Sequence, residues 1–208
     1  MISELVSYAS GIDFLELIGL ISGLLCVIFL IRESILTWPF GILYVLVSFI
    51  IFWKANLYGD FVLHIFYLVL NIYGWYYWLT GKKGESDNLQ ISVLGFYGQV
   101  KYATLSLIGI ALFWYLLKNL HQWFDQIPPA SLPFWDSTTS VLSITGMWLT
   151  ARKKIDNWYY WFLVDVIATG VYLAKDLQFY ALLYFIYIGL AISGYLAWRK
   201  TLLSYRSR

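Results

Sequence analysis

Long apolar runs broken by short polar punctuation divide this chain into seven segments of membrane-spanning length. They run from about Phe14 to Ile31, Trp38 to Trp53, Phe61 to Trp78, Ala103 to Leu117, Phe134 to Ala151, Trp158 to Ala174 and Phe179 to Trp198. Each suits a helix crossing an apolar core of about 30 Å. The first contains Gly19 and Gly23, a spacing that lets another helix approach closely, although glycine is simply common in such helices. Trp38-Pro39 opens the second segment, where a first helical turn tolerates proline. Lys54 to Asp60 reads as a tight turn, Thr80 to about Gln99 as a loop or the start of an interfacial helix, and Lys118 to Pro133 as a second polar connector.

A shift of 120 residues superposes two parts of this pattern without a gap. It carries Trp38 onto Trp158, Leu63 onto Leu183, Tyr67 onto Tyr187, Gly74 onto Gly194 and Trp78 onto Trp198, and backwards it carries Phe14 onto Phe134 and Arg32 onto Arg152. The expected fold is therefore an all-α integral membrane protein in one domain spanning 1–208. Seven transmembrane helices form a 3+1+3 arrangement: repeat one about 14–79, a linker helix about 100–117 and repeat two about 134–199. Four spans separate each helix from its counterpart, an even number, so the two three-helix repeats are parallel.

Composition supports a membrane environment. The chain is 61% hydrophobic and 12% charged, about half the charge of a soluble domain. Eleven Trp and 18 Tyr suit aromatic belts, to which Trp38, Trp78 and Trp198 are assigned. The first run lacks a basic flank and a small-residue cleavage site, so it reads as a span, not a signal peptide. One cysteine, Cys26, excludes a disulfide framework and a paired-cysteine metal site. Of the 14 Lys and Arg, one side collects Arg32, Lys82, Lys83, Lys101, Arg152, Lys153, Lys154 and the four tail residues. The other collects only Lys54, Lys118 and Lys175. Basic loops face the cytoplasm, which places the N-terminus outside and the C-terminus inside.

Polar residues at membrane depth are costly, so each is a functional candidate. His64, Asn71 and Trp75 share a helical face in the third span, and Trp158, Trp161 and Asp165 share one in the sixth. Asp165 lies about 10 Å inside its helix, a carboxylate with no cation near it in sequence at that depth. Glu16 and Asp136 occupy first turns; Asp136, in Phe134-Trp135-Asp136-Ser137, sits where a helix dipole favours a carboxylate. For Glu16 and Asp136 plain helix capping is an equal alternative, and for Asn71 an interhelical hydrogen bond. The candidates are acidic, amide or imidazole, never firmly cationic. With Trp75, Trp161, Tyr184 and Tyr187 they suit a cationic or neutral aromatic molecule better than an anion.

Asn71-Ile72-Tyr73-Gly74-Trp75-Tyr76, Phe134-Trp135-Asp136-Ser137 and Asn157-Trp158-Tyr159-Tyr160-Trp161 resemble motifs of the PnuC family of bacterial vitamin transporters, across about residues 12 to 200. The resemblance implies a SWEET-like fold, a homotrimer and facilitated diffusion of nicotinamide riboside. It also implies trapping of that cargo through phosphorylation by a cytosolic kinase. It places Asn71, Trp75, Trp158 and Trp161 in the substrate site. Asp165 and His64 depart from the pattern of nicotinamide riboside members, which often carry Asn and Gln there, and thiamine is the cargo of sister members.

The expected substrate-binding set is thus His64, Asn71, Trp75, Trp135, Asp136, Trp158, Trp161, Asp165 and Tyr184, with no cofactor, no metal and no nucleic acid. A membrane-embedded enzyme is disfavoured, since no metal-binding HExxH, paired-Asp or nucleophile-turn motif occurs. Proton-coupled symport through Asp165 or His64 remains the competing mechanism.

Overall fold

Polar connectors cut the chain into helices because an apolar solvent leaves the backbone no partner but itself. The structure, a computed structural model, describes residues 13–54, 58–81, 89–123 and 131–206. Among these residues lie seven helices: α1 (Phe14–Ile31), α2 (Thr37–Lys54), α3 (Tyr58–Thr80), α4 (Phe96–Trp123), α5 (Pro133–Ala151), α6 (Asn157–Ala174) and α7 (Gln178–Arg206). All seven expected spans are present, α4 and α7 running past both expected ends. The 18 residues of α1, α2 and α6 reach about 27 Å, enough for the apolar core. By length and apolar composition, α1, α2, α4 and α7 each qualify as spans alone. The others carry the polar groups that face inward. The expected turn over Lys54 to Asp60 falls largely outside the described residues.

Six helices close a ring. α1 packs on α2 and α2 on α3; α5 packs on α6 and α6 on α7; α3 then meets α5, and α7 meets α1. α4 leans on α5 from outside. Moving each of the six pairings forward or back by 120 residues reproduces another, and only the α4 pairing has no mate. On α1, Gly19 and Gly23 are buried against Val47 and Tyr44 of α2, and a Cβ at Gly23 would crowd the Tyr44 ring. Phe66, Val69, Leu107 and Phe185 on the outer faces are more than half exposed, as lipid-facing side chains are.

The turns recur as the helices do. α1 ends with Glu33 in the left-handed region (φ 55°), Glu33 N–H bonding Leu30 O at 3.0 Å and Ser34 N–H bonding Phe29 O at 2.9 Å. α5 ends with Lys153 at φ 51°, and the same two bonds run from Lys153 to Thr150 and from Lys154 to Leu149. Both pairs satisfy the orphan carbonyls of a helix end. Neither turn uses glycine, so each stores about 1–2 kcal/mol of left-handed strain. The outcome is that Glu33 and Lys153 face each other across the ring in an ion pair of 3.2 Å.

Four tryptophans form the core at this end. Trp38 meets Trp78 edge to face (5.3 Å, 86°), and Trp158 meets Trp198 in the same way (5.6 Å, 88°). Trp78 Nε1 donates to Thr150 O at 3.2 Å, while Trp198 Nε1 donates to Leu30 O at 2.9 Å. Residues 30 and 150 are themselves 120 apart, so each half of the ring hands one indole hydrogen bond to the other. Trp38, Trp78 and Trp198 are thus buried core residues and not the interfacial belt expected from composition. The reason is local: Gly74 and Gly194 present bare backbone, and a Cβ at either would overlap the ring of Trp38 or Trp158.

One feature has no counterpart in the first half. Residues 89–95, expected as loop or interfacial helix, form an extended strap with buried Leu89 and Ile91. Ser92 pairs with the 153–155 turn, donating to Lys153 O at 3.1 Å and accepting from Ile155 N–H at 3.0 Å. Asp156 anchors its end, accepting from Leu94 N–H (2.7 Å) and Gln99 Nε2 (3.0 Å).

Candidate functional site

Above the tryptophan cluster the ring encloses a cavity of about 220 Å³. Its wall comes from α1, α2 and α3 on one side and α5, α6 and α7 on the other. Eighteen of its lining residues form nine couples 120 apart: Gly23 and Ser143, Val27 and Met147, Leu30 and Thr150, Trp38 and Trp158, Gly41 and Trp161, Tyr44 and Val164, Val45 and Asp165, Tyr67 and Tyr187, Asn71 and Ala191. Cys26, Thr37 and Tyr184 complete the lining. The hollow is therefore bounded by equivalent backbone on both sides, and chemistry differs where the couples differ. Asp165 is the equivalent of Val45, Asn71 of Ala191, and Trp161 of Gly41.

Each polar group is held from behind. Asn71 donates through Nδ2 to Tyr67 O at 2.8 Å, one turn earlier on α3. Its Oδ1 lies against Gly41, where a Cβ would overlap it, and has no hydrogen-bond partner among the described residues. Trp161 donates through Nε1 to the Thr150 hydroxyl at 3.1 Å, and that hydroxyl donates on to Gly146 O at 2.9 Å. The indole plane is thereby fixed. The N–H groups of Trp38 and Trp158 at the cavity floor have no partner among the described residues. A buried polar atom left unpaired costs about 1–3 kcal/mol, so two unsatisfied donors and one unsatisfied acceptor are packed into the cavity wall.

Asp165 is buried (7% exposed) and lines the cavity two turns from Trp158. No basic side chain pairs with it among the described residues. Tyr44, Tyr67, Tyr184 and Tyr187 line the same cavity, with Tyr184 stacked on Tyr172 (5.2 Å, 19°) and edge-on to Tyr187 (6.0 Å, 73°). The arrangement is a phenol-lined cage with one carboxylate, suited to an aromatic ring carrying positive charge. No group of three metal-binding side chains occurs among the described residues.

The cavity brings together Asn71, Trp158, Trp161, Asp165 and Tyr184 of the expected site. Four expected residues stand elsewhere. Trp75 is 37% exposed on the outer side of α3, because the inward stripe of that helix runs through Tyr67, Asn71, Gly74 and Trp78. Trp135 is 44% exposed at the start of α5, and the carboxylate of its neighbour Asp136 lies 3.7 Å from Lys175 Nζ. His64 is buried one turn beyond the cavity, its ring 4.7 Å from Phe52 and 5.1 Å from Tyr67. Sequence reasoning missed Tyr44, Ser143, Met147 and Thr150, for which only the 120-residue shift offered a signal, as mates of cavity positions. Trp38 was legible as the mate of Trp158 but was set in the belt.

The comparisons with known proteins agree with this geometry. A family model described as nicotinamide mononucleotide transporter matches residues 13–200. The nicotinamide riboside transporter PnuC of Escherichia coli is 30% identical, over 91% of this chain and 87% of that protein. The riboflavin/roseoflavin transporter RibM of Streptomyces davaonensis is 26% identical, over 93% of this chain and 88% of that one. The crystal structure of the vitamin B3 transporter PnuC superposes with a TM-score of 0.74, covering 98% of this chain and 88% of that chain at 20% identity, a likeness of fold. With a cavity inside a ring of apolar helices and a match running nearly end to end, this chain is a multi-pass membrane transporter that belongs to the nicotinamide mononucleotide transporter family.

Proposed function

We propose that this protein carries nicotinamide riboside into the cell by facilitated diffusion, binding it in the cavity between two copies of one three-helix unit. The observation that supports the reading is Asp165, a buried carboxylate without a protein counter-ion, in a cage of tyrosine and tryptophan. Nicotinamide riboside joins a pyridinium cation to an uncharged ribose. Its ring matches the carboxylate and aromatic faces, and its hydroxyls match the Asn71 carboxamide on the cavity wall. A cavity of about 220 Å³ is smaller than the roughly 300 Å³ at which pockets for drug-sized ligands begin. That favours a single ring with a sugar over a tricyclic flavin. Thiamine is the second reading, on the same observation, because its thiazolium would satisfy Asp165 equally.

Residues 14–79 and 134–199 act as the two moving units, with α4 as linker, in a 3+1+3 arrangement. The basic end faces the cytoplasm of a bacterial inner membrane. Three copies form the working assembly, and a cytosolic kinase retains the cargo by phosphorylating it. Titration of the purified protein with nicotinamide riboside, thiamine and riboflavin tests the substrate. A cation should bind at least about tenfold more tightly than riboflavin, the difference one charge-assisted contact supplies. Riboflavin binding as tightly as both cations would sink the reading. In liposomes, uptake should stop at equal concentrations inside and out and ignore an imposed pH gradient; acceleration by that gradient would assign proton symport instead.

A further inference from the structure

A second cluster lies outside the cavity, on the face shared by α3, α4 and α5 at the basic end. Arg152, at the end of α5, donates through Nη1 to the Tyr73 hydroxyl at 2.9 Å. Its guanidinium lies 4.3 Å from the centre of the Tyr77 ring and 5.9 Å from that of Trp148. Tyr73 and Trp148 stack almost parallel (5.3 Å, 7°). Trp148 Nε1 donates to the Tyr102 hydroxyl at 2.9 Å, and the Lys101 ammonium stands 5.9 Å from the Tyr102 ring.

The hydrogen-bond inventory is lopsided. Tyr73 and Tyr102 each spend their oxygen as an acceptor, so each phenol keeps its own O–H to give. Arg152 keeps further N–H donors, and no carboxylate pairs with it or with Lys101 among the described residues. The groups acting on the guanidinium are Tyr73, Tyr77 and Tyr102. Two phenol donors, a guanidinium and an ammonium therefore lie in one run of contacts, with no carboxylate paired to them among the described residues. The rings of Tyr73, Tyr77, Tyr102 and Trp148 are half-buried and the Lys101 side chain is exposed, and α3 and α4 each pack on α5 with little contact between them, which leaves a groove there.

We propose that this groove is a binding site for the phosphodiester headgroup of an anionic phospholipid. A phosphate offers several acceptor oxygens and a full charge, and arginine meets it with paired donors. The position, at the basic end of helices whose outer faces are apolar, is where basic pockets between spans meet anionic lipid heads. A free phosphate shares the chemistry but brings no acyl chains to the exposed apolar faces of α3 and α4. The lipid is therefore the occupant, held at one of the two joints between the halves of the ring, where α3 packs on α5.

Native mass spectrometry of the full chain released from nanodiscs of mixed phosphatidylglycerol and phosphatidylcholine reads this site. Wild type should retain phosphatidylglycerol over phosphatidylcholine, and Arg152→Gln should lower that retention at least about tenfold. The double variant Tyr73→Phe/Tyr102→Phe keeps the ring stacking and removes the two O–H donors together with the bonds they accept from Arg152 and Trp148, so it should lower retention several-fold with only a small fall in melting temperature. Equal retention of the two lipids by wild type overturns the proposal, as does unchanged retention in both variants. So does displacement of the lipid by millimolar inorganic phosphate, which would make the site a phosphate site. If Glu85 or Asp87 of this chain fills the groove, only Glu85→Gln/Asp87→Asn will take up phosphatidylglycerol, and the proposal fails for the native protein.

Discussion

Val45 and Asp165 stand at equivalent places on opposite walls of one cavity, and only one is an ionisable side chain. That single difference polarises the hollow. Replacing Asp165 by Asn keeps the volume and one acceptor oxygen, turns the other into an NH2 donor and removes the charge. If a cationic ring rests there, Asp165→Asn should weaken binding of nicotinamide riboside at least about tenfold, the value of one charge-assisted contact, with little change in melting temperature. Equal affinity in the variant would remove Asp165 from the contact. Trp161 gives a second residue-level test, because its indole is aimed by one bond to the Thr150 hydroxyl. Thr150→Val is close to isosteric and leaves that N–H unpaired, a loss of about 1 kcal/mol. Calorimetric titration should show cargo affinity down about fivefold; an unchanged constant would mean that the aim of Trp161 does not matter to the guest.

At the level of helices, the sequence made the spans legible because apolar runs of this length have one fate in lipid. It made the recurrence legible too, since Trp38, Gly74 and Trp78 reappear as Trp158, Gly194 and Trp198 without a gap. What composition hid was the direction those indoles face. Tryptophan at a span end reads as an interfacial anchor, yet a glycine three or four residues from the next tryptophan marks a slot for a ring. The inward stripe of α3 follows that slot, which is why Trp75 falls outside. Buried chemistry on α5 was hidden for another reason: Thr138, Thr145 and Thr150 return their hydroxyl protons to carbonyls of their own helix and cost little in lipid. Gly74→Ala and Gly194→Ala test the slot. Each Cβ would overlap a ring walled in on all sides, so overpacking should cost about 3 kcal/mol and appear as a lowered melting temperature in both. Gly189→Ala on α7 meets nothing within 4 Å and should leave it unchanged. A neutral Gly74→Ala would show that Trp38 has room to move and that the core is not as packed as drawn.

For the whole molecule the question is which end is shut. The cavity floor is Trp38 and Trp158; beneath them Trp78 and Trp198 exchange bonds across the ring, and beneath those Glu33 meets Lys153. Lys153 is buried, and burial pushes its pKa below the ordinary lysine value while the Glu33 carboxylate works against that shift. It also donates to Leu89 O at 2.7 Å and lies 4.8 Å from the Trp78 ring, so one ammonium ties the strap, the aromatic floor and the opposite half together. Breaking a buried pair by removing one partner costs about 3–5 kcal/mol, whereas replacing both by apolar groups is often neutral. The two changes should therefore act in opposite directions. Cys26, the single cysteine of the chain, lines the cavity and reports on access. In wild type, a membrane-impermeant thiosulfonate should modify Cys26 slowly from the basic end, and saturating cargo should protect it. Glu33→Gln leaves the ammonium buried without its partner and should raise modification from the basic end several-fold. Glu33→Leu/Lys153→Met keeps the end filled without charge and should lower it, slowing transport as well. If all three proteins are modified at one rate, the ion pair is not part of the closure, and the tryptophans alone hold the basic end shut.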